Sequence, residues 1–512
     1  MKVAGSVALV TTAAFAASCA VGPRYHRPEA PASAGYAPMP LPESTAGANI
    51  HGGELQHLVN GRDIPFEWWR MFFSPALDAL VERAFKANPT VVAAQAALVQ
   101  AQELVYAQRG YFFPTFAANY NFARTKISGN FTVDDSPGTQ GNRDNLNPPL
   151  IDPQGSPHTA PLYYNFHTAE LTVGFVPDVF GANRRQMESL AAQTEVQRFA
   201  LEATYVTLAS NVVAAAIQEA SLRAQVSAIR QIIDADEKSL QILRDQLRLG
   251  LAKRIEVAAQ ETALAQAEAT LPRLQKQFEQ TRDLIRALVG NLPDQDVPET
   301  FELDALQLPL DVPVSLPARI IDQRPDVRAA EAQLHAANAQ VGVAVAAMLP
   351  QFSITGTLGG NADEFAWMFR SGGPFWSLVG GVTQPIFEGG TLLHRKRAAD
   401  EALKQAAAQY QSSVLTAYQN VADSLHASLS DADALAADVR AETAAKMTYD
   451  LTRRQMELGY VNYLILLNAE ATYQQALILR VQAQATRFGD TVALIQALGG
   501  GWWNRKGEPD SG

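Results

Sequence analysis

The chain has 512 residues, 47% hydrophobic and 18% charged, too apolar for wholesale disorder. Its 41 basic and 52 acidic residues leave a formal charge of −11 with no run of Lys or Arg, which argues against a nucleic-acid binder. The single cysteine excludes an internal disulfide and any cysteine-rich metal site.

Met1 and Lys2 give a short positive start, and Val3 to Ala17 is apolar and small. Ala16-Ala17-Ser18 then precedes Cys19. Such a segment is a secretory leader, too short to span a bilayer, so residues 1–18 are expected to be removed. The pattern resembles a bacterial lipoprotein signal, although Ala16 stands where such signals usually carry Leu. That resemblance implies a covalent lipid, palmitate among its acyl chains, on Cys19 as the mature N-terminus. Ala20 after it, rather than Asp, implies the outer membrane. The alternative is an ordinary cleaved leader followed by an incidental cysteine. Within the anchored segment 19–75, Pro23, Pro28, Pro31, Pro38, Pro40 and Pro42 forbid helix or central strand and suit an extended tether.

The body reads as two copies of one unit, 76–300 and 321–498, joined by a linker at 301–320 and followed by a tail at 499–512. Asn88-Pro89-Thr90-Val91 meets Arg324-Pro325-Asp326-Val327 at an offset of 236, and Pro114 and Phe116 meet Pro350 and Phe352 at the same offset. Leu249-Gly250 meets Leu458-Gly459 at an offset of 209, and Glu261 meets Glu470. The falling offset marks a longer insertion in the first copy.

Each copy has the same order of elements. Asn88 is a good N-cap and Pro89 a good first helical residue for a helix running to about Gly110. Phe116, Ala118, Tyr120 and Phe122 then alternate with Asn119 and Asn121, which predicts a strand over about 115–124. A loop rich in Gly, Asn, Asp and Pro covers about 125–162. A return strand follows over about 165–175, with Ala169, Leu171, Val173 and Phe175 on one face. The second copy repeats this with strands at about 351–360 and 375–384. Phe352, Ile354, Leu358, Trp376, Leu378 and Val382 mark their apolar positions. About 10 residues per strand is the length that crosses a tilted bilayer.

Two stretches, about 183–249 and 391–458, contain neither Gly nor Pro. A helix of that length is about 100 Å long, against a mean of about 11–12 residues for globular helices. From Leu201 through Val212 to Leu247, and from Leu403 to Val421, apolar residues recur at three-four spacing, the seam of a coiled coil, interrupted at Glu219 and Asp236. Gly250 and Gly459 end these helices with left-handed caps, and antiparallel partners return over about 253–288 and 462–497.

Four strands cannot close a barrel, and open sheet edges are not tolerated in lipid, so several chains must share one. Helical hairpins would continue that barrel as a tube that carries solutes. Cys19-Ala20-Val21-Gly22-Pro23, Trp68-Trp69, Arg324-Pro325-Asp326-Val327-Arg328, Gln384-Pro385-Ile386-Phe387 and Ala497-Leu498-Gly499-Gly500-Gly501-Trp502 together resemble the NodT-type lipoprotein branch of TolC-like outer-membrane factors. The resemblance implies an α+β membrane protein of the Gram-negative outer membrane. It implies a homotrimer with a 12-stranded barrel, four strands per chain, and a periplasmic coiled-coil tunnel. It implies the exit duct of a tripartite efflux pump, with a periplasmic adaptor and an RND-type or other inner-membrane transporter as partners. No catalysis and no cofactor beyond the lipid on Cys19 are implied.

The resemblance extends to ducts that can carry Asp six and nine positions after the second tip glycine. Ile465 and Asn468 stand there instead, with Glu256 and Ala259 at the first-copy positions. The expected gate is therefore an apolar constriction lined by Glu256 or Asn468 near Gly250 and Gly459. The alternative makes these residues a surface tip touching the adaptor. The eight His residues show no metal-ligand spacing, and no phosphate loop or nucleophile elbow is present. The exit duct of a type I protein secretion system shares the fold and stays open as a reading, as does a coiled-coil envelope spacer.

Overall fold

The computed structural model describes residues 20–31, 35–38, 40–127, 150–151, 157–158 and 162–505. Cys19 and most of the insertion between the first two long strands lie outside the described residues. Two compact units emerge from contacts. The first comprises residues up to 24, 103–190 and 338–401, and the second comprises 25–102, 191–337 and 402–512.

The first unit holds a four-stranded antiparallel sheet of β2 (Thr115–Ile127), β5 (Leu162–Phe175), β7 (Gln351–Ala362) and β8 (Pro374–Thr383), in the order β2-β5-β7-β8. A two-residue pair, β3 (Leu150–Ile151) and β4 (Pro157–His158), sits between β2 and β5 in sequence. Residues directly opposite in an antiparallel pair share a face. Phe116 therefore sits with Val173, Ala118 with Leu171, and Tyr120 with Ala169. Leu171 continues to Leu358, and Leu358 to Trp376. The apolar positions singled out in the sequence gather on one face, and that face is exposed: Phe116 is 70% accessible, Leu358 60% and Trp376 77%. The other face carries Asn119, Asn121, Thr168, Glu170, Thr172, Ser353, Thr355, Thr357 and Ser377. An apolar face left open opposite a polar face is the reverse of a soluble protein's economy and fits a wall with lipid outside and water inside. His167, on the apolar side, meets the Tyr120 hydroxyl at 2.9 Å. β2 and β8 each have one partner strand among the described residues, so both edges of the sheet are open.

Most of the helical residues lie in the second unit. Ser74 accepts from the Leu77 amide to cap α1 (Pro75–Ala87), and Asn88 accepts from Thr90 N at 2.8 Å where α2 (Pro89–Arg109) begins. The long helices are α3 (Ala182–Arg248) and α7 (Thr391–Glu457), each of 67 residues. Their partners are α4 (Arg254–Leu288) and α8 (Tyr463–Ala497), each of 35. α5 (Pro317–Gln323) leads from the linker into the second copy, where α6 (Pro325–Ala346) is the counterpart of α2. A short parallel pair joins β1 (His57–Asn60) to β6 (Asp311–Val314), tying the N-terminal segment to the linker. α4 runs through Pro272, which lacks the amide an α-helix would use there.

The seam residues of α7 are buried at Ala406, Tyr410, Val414, Ala417, Val421, Leu425, Ser428, Ala432 and Leu435, every step being three or four residues. The largest core surrounds Trp68, Trp69 and Phe72, all nearly inaccessible, with Val212, Val213, Phe301, Ile320, Phe488 and Ile495. The tryptophan pair therefore packs inside the helical body. Trp502 and Trp503 donate to the Gln323 carbonyl (2.7 Å) and to Asp63 (2.9 Å).

The two acidic interruptions of the α3 seam are both buried. Glu219 is fully inaccessible, pairs with Arg223 and accepts from Phe301 N at 3.2 Å, with Arg282 4.0 Å away. Arg282 in turn holds Asp296 at 2.7 Å. Arg282 first, then Arg286 and the Val297 amide, pull Asp296 down to a pKa of about 2. Buried ionic groups cost several kcal/mol unless paired, and Glu219 is paired with Arg223.

Candidate functional site

The helical hairpins turn at Gly250 and Gly459, with φ of +75° and +79°. Both glycines close the same motif. Leu251 N donates to Gln246 O (2.8 Å) and Gly250 N to Leu247 O (3.0 Å), while Tyr460 N donates to Gln455 O (2.9 Å) and Gly459 N to Met456 O (2.9 Å). These paired bonds satisfy the last carbonyls of each long helix and require a left-handed residue after its end. A Cβ at either glycine would meet no heavy atom within 4 Å, so φ alone dictates the residue.

The return helices start differently. In the first hairpin the Glu256 carboxylate accepts from the Lys253 amide at 2.8 Å, closing the first turn of α4. In the second, Asn462 accepts from the Ile465 amide at 3.2 Å. Ile465 is 48% accessible and Asn468 is exposed, its carbonyl accepting from Thr472. Leu249, Leu251, Ile255, Leu458 and Tyr460 are all more than 60% accessible, so both tips end in exposed apolar side chains. Of the residues singled out in the sequence, Gly250 with Glu256 and Gly459 with Ile465 and Asn468 thus occupy matching positions on the two hairpins. Cys19 lies outside the described residues.

One group was not singled out. About four turns above the first tip glycine, Asp236 of α3 is 1% accessible and accepts from Gln260 Nε2 of α4 at 2.9 Å. The Tyr463 hydroxyl at the start of α8 donates to Gln260 Oε1 at 2.7 Å. Glu470, two turns further along α8, is buried beside them. Burial first, then the charge of Asp236, pushes the Glu470 carboxyl up to about 7, and Arg453 of α7 only partly offsets this. Burial likewise raises Asp236, against the Gln260 hydrogen bond. Tyr463 is raised by burial and then by Glu470 and Asp236. A polar layer therefore ties the first hairpin to the second just behind the tips. Its signal in the sequence is Asp236 breaking an apolar row; Gln260, Tyr463 and Glu470 are reached only through packing.

A second layer lies farther along α8. Arg487 is 1% accessible, and its guanidinium donates to Thr45 Oγ1 (2.5 Å), Ser428 O (3.2 Å) and Glu54 O (3.2 Å). It thereby holds the N-terminal segment against α7 and α8. Burial and then the neighbouring Asp431 push Asp490 up to about 7. Among the described residues no group of three His, Cys, Asp or Glu is placed to hold a metal ion.

The outer membrane efflux protein family model matches residues 80–291 and 316–500. The chain is 27% identical over 509 residues to a probable efflux pump outer membrane protein, TtgC of Pseudomonas putida, covering 98% of this chain and 96% of that one. Its fold is similar to the solved outer-membrane channel OprN, with a TM-score of 0.79 and 25% identity, covering 94% of this chain and 100% of that one. It is also similar to the outer membrane channel CmeC of Campylobacter jejuni, with a TM-score of 0.80 and 21% identity, covering 94% and 95%.

Proposed function

The chain belongs to the outer membrane efflux protein family, and from that premise we propose that three copies form the passive exit duct of a tripartite pump. The duct lies in the outer membrane of a Gram-negative cell and extends into the periplasm. One observation carries the trimer: a sheet with an exposed apolar face, a polar opposite face and two open edges. Such a sheet is stable in lipid only when copies pair edge to edge, β8 of one with β2 of the next. Three copies of four strands give a 12-stranded barrel.

In this reading the hairpin tips form the periplasmic gate. Gly250 and Gly459 set the turns, and Glu256, Ile465 and Asn468 flank the constriction. A periplasmic adaptor docks on the exposed apolar tips, and an RND-type or other inner-membrane transporter supplies the energy. The cargo is small molecules: drugs, organic compounds or metals. Cys19 carries the lipid anchor. The duct itself positions no reacting groups.

Purified protein in detergent is expected at the mass of three chains and to conduct ions in planar bilayers. A monomer that leaves the bilayer silent refutes the duct and leaves a spacer. Deleting the gene is expected to lower tolerance to drugs, dyes or metals. Loss of an exported protein with tolerance unchanged assigns the duct to secretion instead.

A further inference from the structure

The N-terminal residues of the described chain are held in place. Val21 N donates to Phe180 O at 3.1 Å. Arg185 of α3 donates from Nε to Val21 O (3.0 Å) and from Nη2 to Gly22 O (3.4 Å). Its charge is answered by Glu188 at 2.7 Å. Three glycines make the close approach feasible. A Cβ on Gly181 would fall 2.6 Å from Ala20 Cα, one on Gly22 2.5 Å from Gly342 Cα, and one on Gly342 2.9 Å from Arg185 Cγ. Real Cβ atoms do not come that close to backbone, so Gly181 and Gly22 are reserved for glycine, while a Cβ on Gly342 would displace the Arg185 side chain that holds the segment.

Gly181 lies between Phe180 and Ala182, and both line a cavity of about 310 Å³. Its walls are chiefly apolar, with Tyr111, Val176, Val179, Val343 and Phe352. Its polar rim is largely engaged: Asp178 accepts from the Asn183 and Arg184 amides, and Gln108 donates to Asn183 Oδ1. Asn183 Nδ2 is buried with no acceptor among the described residues. Phe352 is also the first residue of the sheet's exposed apolar face, so the cavity opens at the foot of the surface assigned to lipid.

We propose that this cavity is an acyl cradle that receives a chain of the lipid on Cys19, the residue immediately before Ala20. The inference rests on the lipidation of Cys19 stated above. The described chain is pinned at Ala20 against Gly181, beside the cavity and one residue after the modified cysteine, and the apolar walls offer the hydrocarbon a surface away from water. The anchor would then pack against the protein as well as tethering it.

The test uses cells fed a fatty acid that carries both an alkyne and a photoactivatable diazirine. The full-length protein is purified, irradiated, and its adducts mapped by mass spectrometry. Alkyne label on the wild type but not on Cys19→Ala, with adducts on the peptides carrying Tyr111, Val176 to Phe180 and Val343 to Phe352, supports the cradle. Val343→Trp, which fills the cavity, is expected to lose those adducts while keeping the label. A labelled protein whose adducts lie only on bilayer lipid or along the strands overturns the cradle and leaves the anchor standing. A wild type without label overturns both.

Discussion

The buried layer behind the tips predicts that closure depends on pH, and Glu470 sets the size of the effect. In the packed state its carboxyl is raised from an ordinary 4.5 to about 7 by burial and by Asp236. Facing it are Asp236 of α3, Tyr449 and Arg453 of α7, Tyr463 of α8 and, as a neutral group, Gln260 of α4. If opening parts the two hairpins and wets the layer, Glu470 returns towards its ordinary value. The packed state then binds more protons than the open one, so raising the pH favours opening. The closed state is unpenalised below about pH 4.5, and the penalty grows until pH passes about 7. At 1.36 kcal/mol per tenfold the ceiling is about 3 kcal/mol, or roughly 300-fold in the closed-to-open ratio. Water entering the layer lowers it. The assay is open probability in planar bilayers between pH 5.5 and 8.5, for wild type and Glu470→Gln. Wild type is expected to open more as pH rises, and Glu470→Gln to stay near its low-pH level throughout. A Glu470→Gln channel with the same pH response as wild type would refute the assignment, and a wild type with a flat response would refute the coupling of the layer to the gate.

Three further outcomes follow from single positions. Arg487→Ala removes the guanidinium donor shared by Ser428 O, Glu54 O and Thr45 Oγ1, the last keeping only the Gln56 amide, and is expected to cost about 3 kcal/mol, read as faster proteolysis of residues 45–56. Gly459→Ala forces an L-residue to φ of +79° in open space, so the cost is about 1 kcal/mol, seen as faster hydrogen exchange in the last turn of α7; Gly22→Ala, whose Cβ would meet the Gly342 backbone, is expected to be far more damaging. Glu170 is the only charged side chain on the sheet's polar face among the described strand residues, so Glu170→Gln is expected to shift the reversal potential in a salt gradient towards weaker cation preference.

What could be read from the sequence was whatever repeats at short range. Alternation in β2, β5, β7 and β8 shows through because each apolar side chain must face one way, whether or not the partner strand is known. The register that lines up Ala118, Leu171, Leu358 and Trp376 on one face is settled by pairing across long loops, yet it leaves the local pattern intact. The long helices show through because the absence of Gly and Pro is a one-dimensional fact. The polar layers do not, because nothing local separates Gln260 or Glu470 from the many exposed Gln and Glu on the same helices. Only the approach of α8 to α3 and α4 takes them out of water. Asp236 and Glu219 left a trace because each sits in an apolar row, but a broken row does not say what fills the break: Gln260 in one case, Arg223 and the Phe301 amide in the other.

The duplication explains which features recur and which do not. Gly250 and Gly290 in the first copy match Gly459 and Gly499 in the second, and all four have positive φ at the end of a helix. That job depends on the helix alone, so both copies kept it. Docking jobs depend on what is docked, and there the copies part. Gly181, after β5, has positive φ and touches Ala20, whereas Gly389 and Gly390, after β8, share the backbone conformation, and a Cβ on either would touch no backbone within 4 Å. Arg487 of α8 holds the segment around Thr45, while Phe278, at the matching place in α4, lies under Arg223. The single N-terminal segment thus meets Gly181, after the first copy's strands, and Arg487, in the second copy's return helix. Two copies with one segment between them cannot stay equivalent, and the residues that differ are the ones that hold it.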